Sequence, residues 1–167
     1  MAKAYKPLPH ASELWELFDY KPLTGELVWN NHRRYAAWKG KPAGAQFSNG
    51  YIVTELNTPL ERRRYNNHRL IWGWVTGSDP GQFQVDHRDR VRSNNRFWNL
   101  RLATDGQNKV NKEKQGWSVT PAGRYKAVCY LIGGGMEYLG TFDTEQEARA
   151  AHEAAAKRLH GEFACVD

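Results

Sequence analysis

The chain has 167 residues, 40% of them apolar and 13% aromatic, with 24 Lys+Arg against 18 Asp+Glu for a formal charge of +6. That length suits one ordinary domain or two small ones, and the aromatic content argues against disorder. No run of about 18 apolar residues predicts a membrane span, residues 1–9 lack the apolar core of a secretory signal, and two cysteines, Cys129 and Cys165, are too few for a disulfide framework or a four-thiolate zinc site, so a reducing cytosol is the expected compartment.

In chain order, residues 11–18 predict a short helix with Ser12 as N-cap, then a turn over Lys21–Glu26 and a strand at Leu27–Trp29. Residues 30–46 are basic and glycine-containing, as in an exposed loop. Gly50–Leu56 alternates like a strand, and Asn57–Arg64 predicts a hairpin turn leading to a sheet edge. Asn67–Thr76 is an apolar helix that Gly77 would end. Phe83–His87 predicts a short strand, 88–96 an Arg/Asn-rich loop, and Leu100–Ala103 a returning strand. Thr104 with Gln107 forms a capping box for the next helix. Strands at 116–119, 125–131 and 136–142 follow, then a helix capped by Thr144 and Glu147, with Ala148, Ala151, Ala155 and Leu159 as a small-residue face and Gly161 at its end.

Charge divides the chain differently. Residues 1–59 carry a net +2, residues 60–127 a net +8 and residues 128–167 a net −4. A local, arginine-rich block with interleaved aromatics is the footprint of a phosphate-backbone binder; the plainer alternative is a solvated basic face.

Chemistry concentrates in the same block. Asp86 and His87 are adjacent at a strand end, with Asn99 and Asn108 lying 13 and 22 positions after Asp86. A hairpin folded over a helix would bring these side chains together. A carboxylate and an amide carbonyl are hard oxygen ligands that suit Mg²⁺. A neighbouring histidine titrates near neutrality and can take a proton from water. Taken singly, Asp86 serves equally well as an ion-pair partner of Arg88 or Arg90, and Asn99 as a purely structural residue. His68 suits a hydrogen-bonding role in the core better than catalysis. Trp72 and Trp74 suit packing, the two cysteines suit inert small apolar positions, and His152 and His160 suit the helix surface.

The run Val85-Asp86-His87-Arg88-Asp89, then Asn94 to Thr104 with Asn99-Leu100-Arg101-Leu102, then Asn108 and Asn111, resembles the HNH endonuclease family and its ββα-metal fold, most of all the phage-type and intron-encoded homing members. Residues 68–72 resemble the segment that precedes the motif in such proteins. The tail, with Gly116, Tyr125-Lys126-Ala127, Leu139-Gly140-Thr141-Phe142 and residues 154–161, resembles the Apetala-type DNA-binding module, although its acidic balance departs from the basic plant examples.

The resemblance implies an α+β chain: a nuclease domain over 1–110 with a β-rich start, a linker at 111–115, and a three-stranded sheet packed on one helix over 116–167. It implies Asp86 and Asn108 as ligands of one Mg²⁺ or Mn²⁺, His87 as general base, and Asn99 as the catalytic-motif residue that braces the hairpin. The activity implied is hydrolysis of double-stranded DNA to 5′-phosphate and 3′-hydroxyl ends, by nicking, from a monomer inside a phage-infected cell. The expected DNA contacts are Arg62, Arg63, Arg64, Arg88, Arg90, Arg92, Arg96 and Arg101, with Arg124, Tyr125, Lys126 and Tyr130 on one strand of the tail. The alternative is a non-catalytic DNA-binding regulator.

Overall fold

Ala11, Leu14 and Leu17 recur at helical spacing, and their burial defines the inner side of α1 (Ala11–Leu17). The cap is His10, whose side chain accepts from the Ser12 N–H; Ser12 is already inside the first turn, so the expected cap moves two residues back. The structure is a computed structural model that describes residues 7–30, 32–57, 62–111 and 116–165. The chain divides into two units, 1–102 and 103–167.

In the first unit, α1 runs into β1 (Phe18–Lys21), which pairs antiparallel with β2 (Glu26–Trp29), Phe18 opposite Trp29. β1 falls just before the expected turn: four residues carry too little alternation to announce a strand. The expected loop at 30–46 holds a 3-10 turn, Arg33–Trp38, and a two-residue strand, β3 (Ala45–Gln46). β3, β4 (Ile52–Asn57) and β5 (Arg62–Asn66) form a sheet in that order. Arg62, Arg63 and Arg64 therefore stand on a strand rather than in a turn, paired opposite Asn57, Leu56 and Glu55. Residues 58–61 of the expected turn lie outside the described residues.

α2 (Asn67–Thr76) carries the centre of the core: Leu70 and Ile71 are fully buried, and Gly77 closes the helix at φ 70°. Gly73 lets α1 and the residues before it come close, since a Cβ there would sit 3.1 Å from the Leu14 side chain and 2.9 Å from that of Leu8. Around α2 gather Leu14, Leu17, Phe18, Leu27, Trp29, Leu56, Tyr65, Val85 and Leu100. Phe18 and Trp29 meet at 4.7 Å, and Trp29 stacks on Tyr35 at 4.3 Å. Side chains of this size contribute about 1.5–3 kcal/mol each on full burial. Trp74 packs with its indole N–H on the Phe18 carbonyl (2.9 Å), and Trp72 with its ring 5.4 Å from Phe97. β6 (Gln84–His87) pairs with β7 (Leu100–Ala103), and α2 packs on β6 and on the 3-10 turn Phe97–Asn99.

The second unit opens with α3 (Asp105–Val110), whose Thr104–Gln107 capping box is formed as expected. The division at 102/103 places α3 with the second unit, ahead of the boundary expected after residue 110. Of the expected linker, Asn111 caps α3 and residues 112–115 lie outside the described residues. β8 (Trp117–Val119), β9 (Tyr125–Tyr130) and β10 (Met136–Phe142) form an antiparallel sheet with β9 in the middle. α4 (Glu145–His160) packs across all three strands, capped by Thr144 and Glu147. Its buried face is Ala148, His152, Ala155, Ala156 and His160, against Ala127 and Cys129. His152 and His160 are thus interior, not surface, residues. The alanines bring the helix so close that an imidazole spans the gap: His152 Nδ1 lies 2.9 Å from the Val128 carbonyl. Gly116 faces the same ring, and a Cβ there would fall 1.8 Å from Nδ1.

Candidate active site

Successive strand residues point to opposite faces. Asp86 and His87, adjacent on β6, therefore look into different surroundings, and both are buried.

Asp86 faces β7. Its Oδ2 accepts from Arg101 Nε at 3.1 Å and Nη2 at 3.0 Å, with side-chain exposures of 10% and 4%. An isolated carboxylate would be costly to bury, and the two-pronged guanidinium compensates it. Arg101 was expected on the DNA backbone; its guanidinium instead serves Asp86, because its position on β7 turns it inward. The ion-pair partner across the sheet is thus Arg101, a residue beyond Arg88 and Arg90, the two expected for Asp86.

His87 faces α2 and the loop. Its Nε2 lies 2.9 Å from Asn95 Oδ1. The His68 ring stands edge-on at 4.9 Å, and Tyr51 touches both histidines, at 5.3 Å from His68 and 6.1 Å from His87. The Arg92 guanidinium lies over the outer side of Tyr51 at 5.1 Å. Burial lowers the His87 pKa below its ordinary 6.5, while the Asn95 hydrogen bond and the charges of Asp86 and Asp89 pull it back up. Burial, with the neighbouring His87 and Arg69, takes His68 down to about 3. Both rings are neutral at neutral pH, the state in which an imidazole can accept a proton.

Asn99 ties the loop between the strands. Its Oδ1 accepts from the Asp89 N–H at 3.1 Å, and its Nδ2 donates to Asp89 Oδ1 and to the Asn94 carbonyl, both at 2.8 Å. Burial would raise the Asp89 carboxyl, but hydrogen bonds from Asn94, Asn99 and the Val91 N–H outweigh it and hold the pKa low. Arg90 turns the chain at φ 62°, a conformation that a non-glycine residue adopts only at some cost. The far end of the loop is held by the β1–β2 hairpin: the Tyr20 hydroxyl donates to the Asn95 carbonyl at 3.2 Å and accepts from the Phe97 N–H at 2.8 Å, and a Cβ on Gly25 would lie 2.6 Å from the Arg96 nitrogen.

The other expected contacts differ in exposure. Arg88 and Arg92 are exposed, and Arg90 is half-buried. Arg96 is committed inward, with Nε on the Leu23 carbonyl at 2.8 Å and Nη1 on Asn94 Oδ1 at 3.0 Å. Arg62 and Arg64 are exposed and share Glu55 as an ion-pair partner, and Arg63 is half-buried between them. In the second unit, Lys126 and Tyr130 are exposed on one face of β9, Lys126 over the Tyr138 ring at 5.8 Å. Arg124 pairs with Asp143 at 2.8 Å. Tyr125, expected on the same strand, has the phase of Ala127 and Cys129, opposite to that of Lys126 and Tyr130.

Asn108 is half-buried on α3, in the second unit, whereas Asp86, His87 and Asn99 belong to the first. Among the described residues no three His, Cys, Asp or Glu side chains converge as a metal cluster. A set of one carboxylate and one amide oxygen is a different, sparser kind, and it fits a cation that keeps most of its water. Three residues were missed in the sequence as parts of this site: Tyr51, Asn95 and, as neighbour of His87 rather than as a hydrogen-bonding core residue, His68. The signal for Asn95 was its place in an Asn-Asn pair between two strands.

Three comparisons bear on this geometry. Residues 65–110 match the family model described as HNH endonuclease. An uncharacterised HNH endonuclease of Acanthamoeba polyphaga mimivirus is 35% identical over 102 residues, 58% of this chain and 54% of the relative, so the chain spans about half the length of the curated relative it matches. A solved structure, of DNA binding and cleavage by the HNH homing endonuclease I-HmuI, aligns over 86% of this chain and 84% of that one, at 19% identity and a TM-score of 0.44. Among the described residues no helix is long and apolar enough to cross a membrane. Asp86 and His87 stand at the centre of the segment, residues 65–110, that is similar to the HNH endonuclease family.

Proposed function

We propose that the chain is a divalent-metal-dependent DNA endonuclease that nicks one strand per catalytic event. The observation that carries this is the buried, neutral His87 beside a buried carboxylate, within the segment that matches the HNH family. His87 takes a proton from the attacking water and so supplies a hydroxide-like nucleophile in line with the scissile bond; a positioned general base contributes roughly 10²–10⁴-fold. Asp86 and Asn108 would hold one Mg²⁺ or Mn²⁺. When bound, that ion supplies a Lewis acid for the phosphate and for the departing 3′ oxygen. Arg101 holds the Asp86 carboxylate in place through its two N–H contacts. Asn99 holds the loop at the end of β6, so that His87 keeps its place. The products are a 5′-phosphate and a 3′-hydroxyl.

Arg62, Arg63, Arg64, Arg88, Arg90 and Arg92 supply the charge that holds double-stranded DNA, within the block of net +8. The second unit, a three-stranded sheet on one helix as in Apetala-type modules, offers Arg124, Lys126 and Tyr130 to a groove and contributes target choice. The chain acts as a monomer, and one site per chain gives a nick.

Supercoiled plasmid with Mg²⁺ or Mn²⁺ tests this. Open circles are expected, none in EDTA, and His87→Ala should lose about 10²–10⁴-fold in rate with DNA affinity retained. Cleavage that persists in EDTA ends the metal reading. DNA binding with no cleavage under either ion identifies a non-catalytic DNA-binding protein instead.

A further inference from the structure

We propose that the first unit carries a binding site for an unpaired nucleobase, in a cavity lined by the 3-10 turn Arg33–Trp38 and by residues of β3, β4 and β5. The ligand is one nucleotide of a single strand, or one extruded from a duplex: a flat aromatic ring with a phosphate attached. The inference goes beyond strand cleavage and does not depend on it.

The cavity measures about 440 Å³, within the range of roughly 300–1,000 Å³ typical of small-molecule sites. Four aromatic side chains line it, Trp29, Tyr35, Trp38 and Phe47, and they fall into two pairs. Trp29 and Tyr35 are buried, stacked on each other at 4.3 Å, and belong to the hydrophobic core. The Tyr35 hydroxyl accepts from the Asn57 N–H at 2.7 Å, which fixes the 3-10 turn to the end of β4. Gly44, at φ 88°, lies so close to β4 that a Cβ there would sit 2.7 Å from Thr54 Oγ1. The cavity is therefore built into the fold. Trp38 and Phe47 differ from the first pair: they are 54% and 43% exposed and stand outside the core cluster. Single apolar residues on a surface are ordinary, but two large aromatics on one cavity mark a place for another flat group.

Charge selects among flat ligands. The Lys41 ammonium stands over the Trp38 ring at 5.4 Å, and the Arg64 guanidinium over the Phe47 ring at 5.9 Å. Arg34 Nη1 donates to the Asn57 carbonyl at 2.7 Å. Each of these cations is thus held beside a residue that lines the cavity. The carboxylate in the lining, Glu55, is shared by Arg62 and Arg64. A nucleotide matches this surround, with a ring for Trp38 and Phe47 and a phosphate for Lys41, Arg34 and Arg64. A paired base does not, because its faces are covered by its neighbours in the stack. An unpaired base offers a free face to aromatic side chains.

The test is fluorescence anisotropy of labelled oligonucleotides with the full chain in EDTA, where binding is read apart from cleavage. The probes are a single DNA strand, the RNA strand of the same sequence, the fully paired DNA duplex, and that duplex with one bulged base. Wild type should bind the bulged duplex more tightly than the paired one. The difference should persist as salt is raised, since stacking releases no counterions. Trp38→Ala and Phe47→Ala should each weaken the single strand and the bulged duplex by about 5–150-fold, the loss expected when one base–aromatic stack is removed, with the paired duplex unchanged. Trp38→Phe, which keeps a ring, should recover most of that loss. A loss on the DNA strand, the RNA strand or both identifies which nucleic acid supplies the base. A wild type that does not distinguish bulged from paired duplex overturns the proposal, and so does a distinction that survives both substitutions. Equal losses on the paired duplex overturn it as well, and make the two rings part of a duplex contact. Both side chains are exposed, so their truncation spares the core, and the wild-type comparison requires no variant to fold.

Discussion

The two units solve the same problem with different materials. The first buries Leu14, Leu17, Phe18, Leu27, Trp29, Leu70 and Ile71 in one cluster. The second encloses mostly small residues, Ala127, Cys129, Ala148, Ala155 and Ala156, with Phe163 the one large apolar side chain buried among its described residues. Large side chains bury more apolar area per residue and set elements about a side chain apart. Alanines bury little, but they let a helix lie almost on the backbone of the sheet, where histidines and glycines fill what remains. The first unit can therefore hold charged groups in a fixed interior, and Asp86, Arg101 and His87 sit there. The second can present an open sheet face, where Lys126, Tyr130 and Tyr138 are exposed.

The sharpest way to break that contrast is Arg101→Met. It leaves Asp86 buried without its partner, and a loss of about 3–5 kcal/mol in urea unfolding is expected. The double change with Asp86→Leu should recover most of it. A loss below about 1 kcal/mol would mean that the interior of the first unit is not the fixed, dry setting described above.

The cores themselves give the next comparison. Leu14→Ala should cost about 2–5 kcal/mol, by lost burial and the cavity left behind. In the second unit the damaging direction is the opposite one, and Ala156→Leu should cost about 1–3 kcal/mol by overpacking. Equal tolerance of Ala156→Leu and Ala156→Gly would show that the helix is not pressed onto the sheet.

Acid should separate the units too. The folded chain holds His68 at a pKa of about 3 against an ordinary 6.5. The unfolded chain takes up that proton first, so the contribution is complete above pH 6.5 and is lost as pH falls toward 3. The slope is about 1.4 kcal/mol per pH unit from this group. His87 shifts in the same direction and adds to it. Urea titrations of wild type and His68→Gln over that range should show the variant with the shallower loss.

The smallest effect concerns the sheet face. Lys126→Ala should reduce the slope of log affinity against log salt by about one counterion and relax nick-site preference, with the nicking rate at saturation retained. Mapped nick positions on one long duplex measure the preference. An unchanged slope and pattern would remove the second unit from DNA recognition.

Much of this was legible in the residues. Both capping boxes, at Thr104 and Thr144, are local four-residue patterns and formed as read. α2 and its Gly77 end followed from an apolar run and a single glycine. What escaped reading was whatever depends on a partner distant in the chain. Arg101 looks like one more basic residue until β7 turns it onto Asp86, 15 positions earlier. Arg96 is equally ambiguous until it reaches Leu23. His152 and His160 stand in a polar helix, and only the thinness of an alanine core explains why they are interior. Within the site, Asp86, His87 and Asn99 were accessible as a spaced motif, but Asn95, His68 and Tyr51 acquire meaning only as surroundings of one ring.

The grip of Tyr20 and Gly25 on the 95–97 loop also bears on the order in which the molecule is made. The β1–β2 hairpin leaves the ribosome well before the residues it clamps, so a folded surface is waiting when that loop emerges. Residues 65–110 expressed alone would lack this template. They would keep every letter of the matched segment and still lose the clamp on Asn95, the partner of His87. The folding unit behind the matched segment is thus longer than its recognisable sequence signature, and the clamp on its loop begins some forty residues upstream of it.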